Sequence, residues 1–264
     1  MNIDESVARV YHDLQAQNPL VHCITNYVSM DIAANMLNAA GASPAMVHDT
    51  HEAEEFASIA SGLMINIGTP SPPWVDGMHA AVRAAADREM AWVLDPVAVG
   101  ATTYRQGIVA DLLEHRPAVI RGNASEIVTI ATAVTSGRGV DSDTGIDQAV
   151  SAAGDLARRT GATVAITGSS DVVTDGEHVL YVEGGDPAMP LITALGCSVS
   201  AVTAACCAVS DDRVHASAAA LAMFAVAGQR AGADSPGPGT LRWRLIDEIA
   251  KLTADDLAGR VTRR

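Results

Sequence analysis

Short runs of apolar and β-branched residues alternate with longer alanine-rich segments along most of this chain, the pattern of a sheet flanked by helices. LMINIG (63–68), AWVLDP (91–96), AVIRGN (118–123) and TVAIT (163–167) read as buried strands, and DVVTDGEHVLYV (171–182) as a hairpin turning at Asp175-Gly176. Helices are expected at 4–17, 31–40, about 74–88, behind residue 123, at 147–160, at about 197–209 and at about 214–231. A last amphipathic helix belongs inside GPGTLRWRLIDEIAKL, and SGRGVDSDTG (136–145) reads as an exposed loop. No internal repeat or low-complexity linker interrupts the order. The expected architecture is therefore α/β: a single three-layer αβα domain over residues 1–264, with a mostly parallel central sheet.

Charge narrows the function classes. The formal net charge is −14 and Lys251 is the single lysine, so there is no basic face with which to displace the counterions of a nucleic acid. Acidity does not exclude an anionic small molecule, because a few backbone N–H groups and one arginine can hold a phosphate. From Pro187 to Ser210 no side chain carries a full charge, but Pro190 and Gly196 break the stretch. Its helical part is too short to cross ~30 Å of hydrocarbon, so a buried helix is expected and no membrane partner. The four cysteines form no C-x-x-C pair and no zinc spacing, and Asp4, Glu5 and Arg9 precede any apolar stretch. Both features point to a reducing, cytoplasmic setting without a signal peptide.

In doubly wound sheets ligands bind at the carboxyl ends of the strands. Those ends carry Gly68, Asp95-Pro96, Arg121-Gly122-Asn123 and Thr167-Gly168. ALGCSVSAV (194–202) sets Gly196 at the mouth of an apolar helix, where three or four backbone N–H groups lack intrahelical acceptors and form an anion hole. Cys197 sits in the first turn, where the same field favours its thiolate; a packed cysteine at an ordinary helix start is the plainer alternative. In IRGNASE (120–126), Arg121 can offer paired donors to phosphate oxygens. Asn123 and Glu126 have the spacing of a capping box, which alone accounts for them, but Glu126 could also hold Mg²⁺ through water. Asp95 suits either a turn before Pro96 or a second metal-facing group, and Thr167-Gly168 can approach a nucleotide phosphate. Asn26 offers an amide and Met46 a soft side chain suited to a flat heteroaromatic ring. His22 and His48 read as structural. G-x-G-x-x-G and G-x-x-x-x-G-K-[ST] are both absent, which disfavours a Rossmann dehydrogenase or a P-loop kinase.

VHCITNYV, GASPAMV, ASIASGLMINIGT, VLDPVAVGA, YR, IRGNASEI, GRGVDS, ITG followed by DVVTDGE, GGDPAM, GCSVSAVTAACCAV and GPG run in this order from about residue 20 to 240. Together they resemble the hydroxyethylthiazole kinases of the ribokinase-like superfamily, with IRGNASE and VLDPVAVGA the most specific pair. The resemblance implies a ribokinase-like fold and ATP- and Mg²⁺-dependent phosphorylation of 4-methyl-5-(2-hydroxyethyl)thiazole. By matching position it implies that Arg121 and Thr167 contact ATP and that Asp95 and Glu126 bind Mg²⁺. Met46, Ala194, Asn26 and Gly68 would belong to the thiazole site. Gly196 and Cys197 would form the catalytic turn, Cys197 standing where most relatives carry an aspartate. It also implies a homotrimer with sites at subunit interfaces. The chain reads Ala194-Leu195-Gly196-Cys197 where the family reads Gly-Thr-Gly-Cys. If position 194 requires a positive φ, alanine is strained there. The rival readings are another small-alcohol kinase of the same superfamily, such as one acting on hydroxymethylpyrimidine, and a catalytically lapsed thiazole-binding protein.

Overall fold

The computed structural model describes residues 2–136 and 146–264. GRGVDS (137–142) lies outside the described residues, as does all but the first residue of the loop expected at 136–145.

Helix α1 (Ile3–Gln17) opens on a capping box in which Asn2 and Glu5 satisfy each other's backbone N–H. Strand β1 (Leu20–Ile24) and helix α2 (Met30–Ala40) follow, the helix stopping at left-handed Gly41 as the sequence predicts. Next come β2 (Ser43–Ala45), α3 (Ala53–Ile59), β3 (Gly62–Asn66), α4 (Pro72–Asp87), β4 (Trp92–Asp95), α5 (Thr103–Leu113) and β5 (Val119–Asn123). Helix α6 (Ala124–Ser136) and helix α7 (Ile146–Thr160) lead to β6 (Thr163–Thr167) and the hairpin β7 (Asp171–Thr174) and β8 (Val179–Val182). Helices α8 (Leu195–Ala208), α9 (Arg213–Ala233) and α10 (Pro238–Ala250) precede a terminal strand, β9 (Val261–Arg263).

These nine strands form one sheet in the order β2-β1-β3-β4-β5-β6-β7-β8-β9. Strands β2 through β6 pair in parallel, and β7, β8 and β9 add an antiparallel edge. The period of two along each strand sorts side chains between two cores. Met64, Val93, Val119 and Ala165 face the core built with α1, α2, α8, α9 and α10. Leu63, Ile65, Leu94, Ile120, Val164 and Ile166 face the core built with α3 to α7. Helices therefore cover both faces, which is why the strands read as continuous apolar runs, and the expected αβα layering is present. Truncating a fully buried side chain such as Leu94 would cost ~2–5 kcal/mol.

Helix α8 is buried almost all round, and its small side chains admit close approach by the sheet and by α9. Two of its hydroxyls are satisfied within the helix turn, Ser198 Oγ donating to the Ala194 carbonyl at 3.1 Å and Thr203 Oγ1 to the Val199 carbonyl at 2.8 Å. Cys206 and Cys207 act as small apolar residues there, and burial pushes the Cys207 thiol up to about 12. Among the described residues no helix is long and apolar enough to cross a membrane.

Strands β1, β2 and β9 and helices α3 and α5 were not expected from the sequence. His22 interrupts the apolar run of β1, β2 and β9 have three residues each, and α3 has seven. Gly107 weakens α5, in which only Ile108, Val109 and Leu112 are buried.

Candidate active site

The sheet's alternation decides which side chains meet. Asn66, Asp95, Arg121 and Thr167 each lie two residues beyond a residue of the α8-facing core: Met64, Val93, Val119 and Ala165. They continue that face at the carboxyl ends of four adjacent parallel strands, opposite the first turn of α8. Arg121 is 7% exposed; its Nη2 donates to Thr167 Oγ1, and its Nη1 stands 3.9 Å from Asp95 Oδ1. The guanidinium also packs against Gly196: a Cβ there would stand 2.6 Å from Nη1 and 2.9 Å from Nη2. Position 196 thus requires glycine for close approach. Arg121, Thr167 and Gly196 are brought together at one rim.

Ala194 is the N-cap of α8 with φ 63° and ψ 16°, a left-handed conformation that strains any residue with a Cβ. The first intrahelical bond runs from Ser198 N–H to the Ala194 carbonyl, and Leu195 N–H donates to Ile192. The anion hole is therefore narrower than the three or four donors expected: the amides of Gly196 and Cys197 remain ahead of the helix ladder.

A buried polar network joins the two ends of this rim. Asp95, 1% exposed, accepts from Asn66 Nδ2 at 2.7 Å and from Ser200 Oγ at 2.9 Å through Oδ2, while its Oδ1 has no hydrogen-bond partner. Asn66 Oδ1 accepts from Asn26 Nδ2 at 2.8 Å, and that same Nδ2 lies 3.5 Å from Cys197 Sγ. Gly68 packs against Asn26, where a Cβ would stand 2.5 Å from Nδ2. Burial, reinforced by the nearby Glu126, raises the Asp95 carboxyl to about 6 against the pull of Arg121, Ser200 and Asn66. At Cys197 burial opposes the helix field. Burial and the Asp95 carboxylate push its thiol up to about 11, overriding the helix field and the amides that favour the anion.

Asn123 and Glu126 do form the capping box, with both cross bonds at 2.9 Å. Glu126 has a further partner: its Oε1 accepts from Ala98 N–H at 2.9 Å, bracing the loop that follows Asp95. Arg105 of α5 braces the same loop from the other side. It donates to the carbonyls of Ile67 at 2.5 Å, Gly68 at 2.7 Å and Val97 at 2.8 Å. Sequence reasoning missed Asn66, Ser200 and Arg105 as site residues. Asn66 left a signal, a lone amide closing an apolar strand; Arg105 lies in a helix whose position over the two loops only the fold defines.

An open cleft of about 1070 Å³ lies beside this rim, lined among others by Arg121, Asn123, Thr167, Gly168, Ala194 and Gly196. Asn26, Gly68, Asp95, Glu126 and Cys197 stand outside its lining, as does Met46, which follows β2 and packs half-buried against the α8-facing core. Of the two histidines read as structural, His22 has its Nε2 bonded to the Val47 carbonyl and its pKa lowered to about 4 by burial, while His48 stacks on Trp74 at 3.9 Å. The described residues contain no group of three or more His, Cys, Asp or Glu able to hold a metal. An ion that keeps most of its water and takes one or two carboxylates remains compatible, and the unpartnered Asp95 Oδ1 is a donor suited to it. The rim thus combines an arginine, helix-start amides, a carboxylate and a roomy cleft, the parts needed to hold and transfer a phosphoryl group.

Residues 11–255 match the model of the hydroxyethylthiazole kinase family. The hydroxyethylthiazole kinase of Rhizobium etli is 52% identical over 248 residues, covering 94% of this chain and 96% of that protein. Among solved structures, the hydroxyethylthiazole kinase protein of Pyrococcus horikoshii superposes with a TM-score of 0.91 at 31% identity, covering 98% of both chains. The pyridoxal kinase of Staphylococcus aureus in complex with ADP shares the fold alone, with a TM-score of 0.62 at 17% identity over 80% of this chain and 88% of that one.

Proposed function

This chain belongs to the hydroxyethylthiazole kinase family and is a kinase, and from that premise we propose that it transfers the γ-phosphoryl group of ATP to the primary alcohol of 4-methyl-5-(2-hydroxyethyl)thiazole, in thiamine salvage. The observation that supports this reading best is the packing of Arg121 between Thr167, Asp95 and the helix-start Gly196, on the wall of the large cleft. ATP lies in that cleft, with Arg121 and Thr167 on its phosphates and the amides of Gly196 and Cys197 facing the group in flight. Asp95 and Glu126 would hold Mg²⁺, Glu126 through water because both its oxygens already accept backbone amides. When bound, that ion supplies neutralisation of phosphate charge.

The thiazole alcohol approaches from the Asn26 and Gly68 side of Cys197, with Ala194 and Met46 lining the heterocycle's site. With its thiol protonated, Cys197 orients the hydroxyl as a hydrogen-bond partner rather than removing its proton in the ground state. A loose phosphoryl-transfer transition state tolerates this, because positioning and charge stabilisation contribute more than a strong base. The functional unit is one domain spanning residues 1–264, acting in the cytoplasm. It assembles as a homotrimer; Tyr27 and Val28, exposed beside Asn26, are apolar surface that a neighbouring subunit would cover, and Met46 would serve a neighbour's site.

Incubation with Mg-ATP and mass-spectrometric detection of phosphorylated hydroxyethylthiazole tests the reaction. ADP release that is faster with hydroxymethylpyrimidine, or thiazole binding without ADP release, would overturn it. Light scattering on the purified protein tests the trimer.

A further inference from the structure

Asn66 is 1% exposed, and the polarity of its amide is fixed by its neighbours. Gly68 N–H, which can only donate, lies 2.9 Å from one terminal atom of the side chain, so that atom is Oδ1. The other atom is therefore the NH₂ group, and it donates to Asp95 Oδ2 at 2.7 Å. The same logic fixes Asn26. Its Oδ1 accepts from the N–H groups of Val28 at 3.0 Å and Ser29 at 3.1 Å, so its NH₂ group faces both Asn66 Oδ1 at 2.8 Å and Cys197 Sγ at 3.5 Å. Hydrogen bonds thus run in one direction from the α2 entry turn through Asn26 and Asn66 into the Asp95 carboxylate. On one side lies the sulfur proposed to meet the acceptor alcohol; on the other lies the carboxylate beside Arg121.

We propose that Asn66 is a positioning residue for phosphoryl transfer, its amide donating toward Asp95 and accepting from Asn26 so that the two halves of the site hold one mutual geometry. This deepens the proposed kinase reading and rests on it for the kinetic part of its test. Neither half of the role is available to another side chain of the same shape. Aspartate keeps the acceptor for Asn26 and Gly68 but sets a second carboxylate against Asp95, and leucine offers neither group.

The test is kinetic and structural. Asn66→Ala and Asn66→Asp should lower kcat by roughly tenfold to a hundredfold, the loss of one charge-assisted hydrogen bond, with the ATP KM within about threefold of wild type. Asn66→Ser, which retains one small group able to donate and accept, should recover part of the loss; it carries the test if the other variants do not fold. Combining Asn66→Ala with Asn26→Ala should be less damaging than the product of the single effects, because both remove one relay. An unchanged kcat, a loss carried by KM alone, or full multiplicativity would overturn the assignment. A crystal structure of Asn66→Ala gives a readout independent of the substrate. Rotation of Asn26 away from Cys197 is expected, and an unmoved Asn26 and Asp95 overturn the proposal even if wild-type turnover of the thiazole is demonstrated. Failure of the wild type to phosphorylate the thiazole would instead count against the proposed function and leave this structural outcome to decide the role of Asn66.

Discussion

Gly196→Ala should separate folding from function more cleanly than any other single substitution in this protein. The new Cβ would stand 2.6 Å from Arg121 Nη1, 2.9 Å from Nη2 and 3.1 Å from Cζ, three contacts with the one guanidinium. Ordinary contact distances require that group to retreat by about 1 Å. The obstacle is the far end of a flexible side chain, so the backbone need not move. Alanine in the first turn of α8 is also a better helix former than glycine, by up to ~1 kcal/mol. The buried Arg121–Thr167 bond is lost at the same time, so the two effects partly offset and the melting temperature should fall by no more than about 5 °C. Function should suffer, because a displaced Arg121 loses its bond to Thr167 and its position over the cleft. Losing one hydrogen bond from Arg121 to an ATP phosphate amounts to ~1.5–3 kcal/mol, or roughly tenfold to a hundredfold in kcat/KM for ATP. A coupled ADP-release assay resolves kcat and KM, and thermal unfolding monitors the fold. On an Arg121→Ala background the same substitution should have little further effect, since the group it displaces is gone. Wild-type kcat/KM in the folded single variant would refute this reasoning. So would a marked loss of stability, which would mean that backbone rather than the guanidinium absorbs the clash.

Ala194→Gly removes a Cβ from a left-handed residue at φ 63°, so it should stabilise the protein by up to ~1 kcal/mol, visible as a rise of about 1–3 °C in melting temperature. Asp95, raised to about 6 by burial, predicts opposite pH trends in activity and stability. Its folded pKa exceeds its unfolded one, so the folded state binds the extra proton between about pH 4 and 6; in that window this group's contribution to stability falls as pH rises, then levels off above 6. If Asp95 acts as the proposed Mg²⁺-facing carboxylate, activity should fall as pH drops through 6, so unfolding midpoints and kcat/KM measured from pH 5 to 8 should move in opposite senses from this group. Arg105→Ala removes the clamp on the Ile67, Gly68 and Val97 carbonyls and should reduce kcat at least about tenfold; unchanged steady-state kinetics would show that the two loops hold themselves. Cys197→Ser should remain within about tenfold of wild-type kcat, and kcat should not climb tenfold per pH unit between 7 and 9, as it would if the scarce thiolate were the active form.

The layered α/β fold was legible in the sequence because buried parallel strands leave continuous apolar runs and helices leave alanine-rich ones, and both signals are local. The same holds for the Asn123–Glu126 cap, for the Asp175-Gly176 turn, and for the grouping of Asp95, Arg121 and Thr167 near one rim, since strand ends can be read off the chain. Strands of three residues and the weakly patterned α5 escaped because their stability comes from neighbours rather than from their own composition. Only the tertiary structure sets the surroundings of the Cys197 thiol. A helix start favours a thiolate, but burial and a carboxylate reached across the sheet outweigh it, and neither is a property of residues 194–202. It also made Asn66 and Arg105 part of the site. Hydrogen bonds between residues 29 to 40 positions apart in the chain depend on which strands lie side by side, and that is fixed by packing.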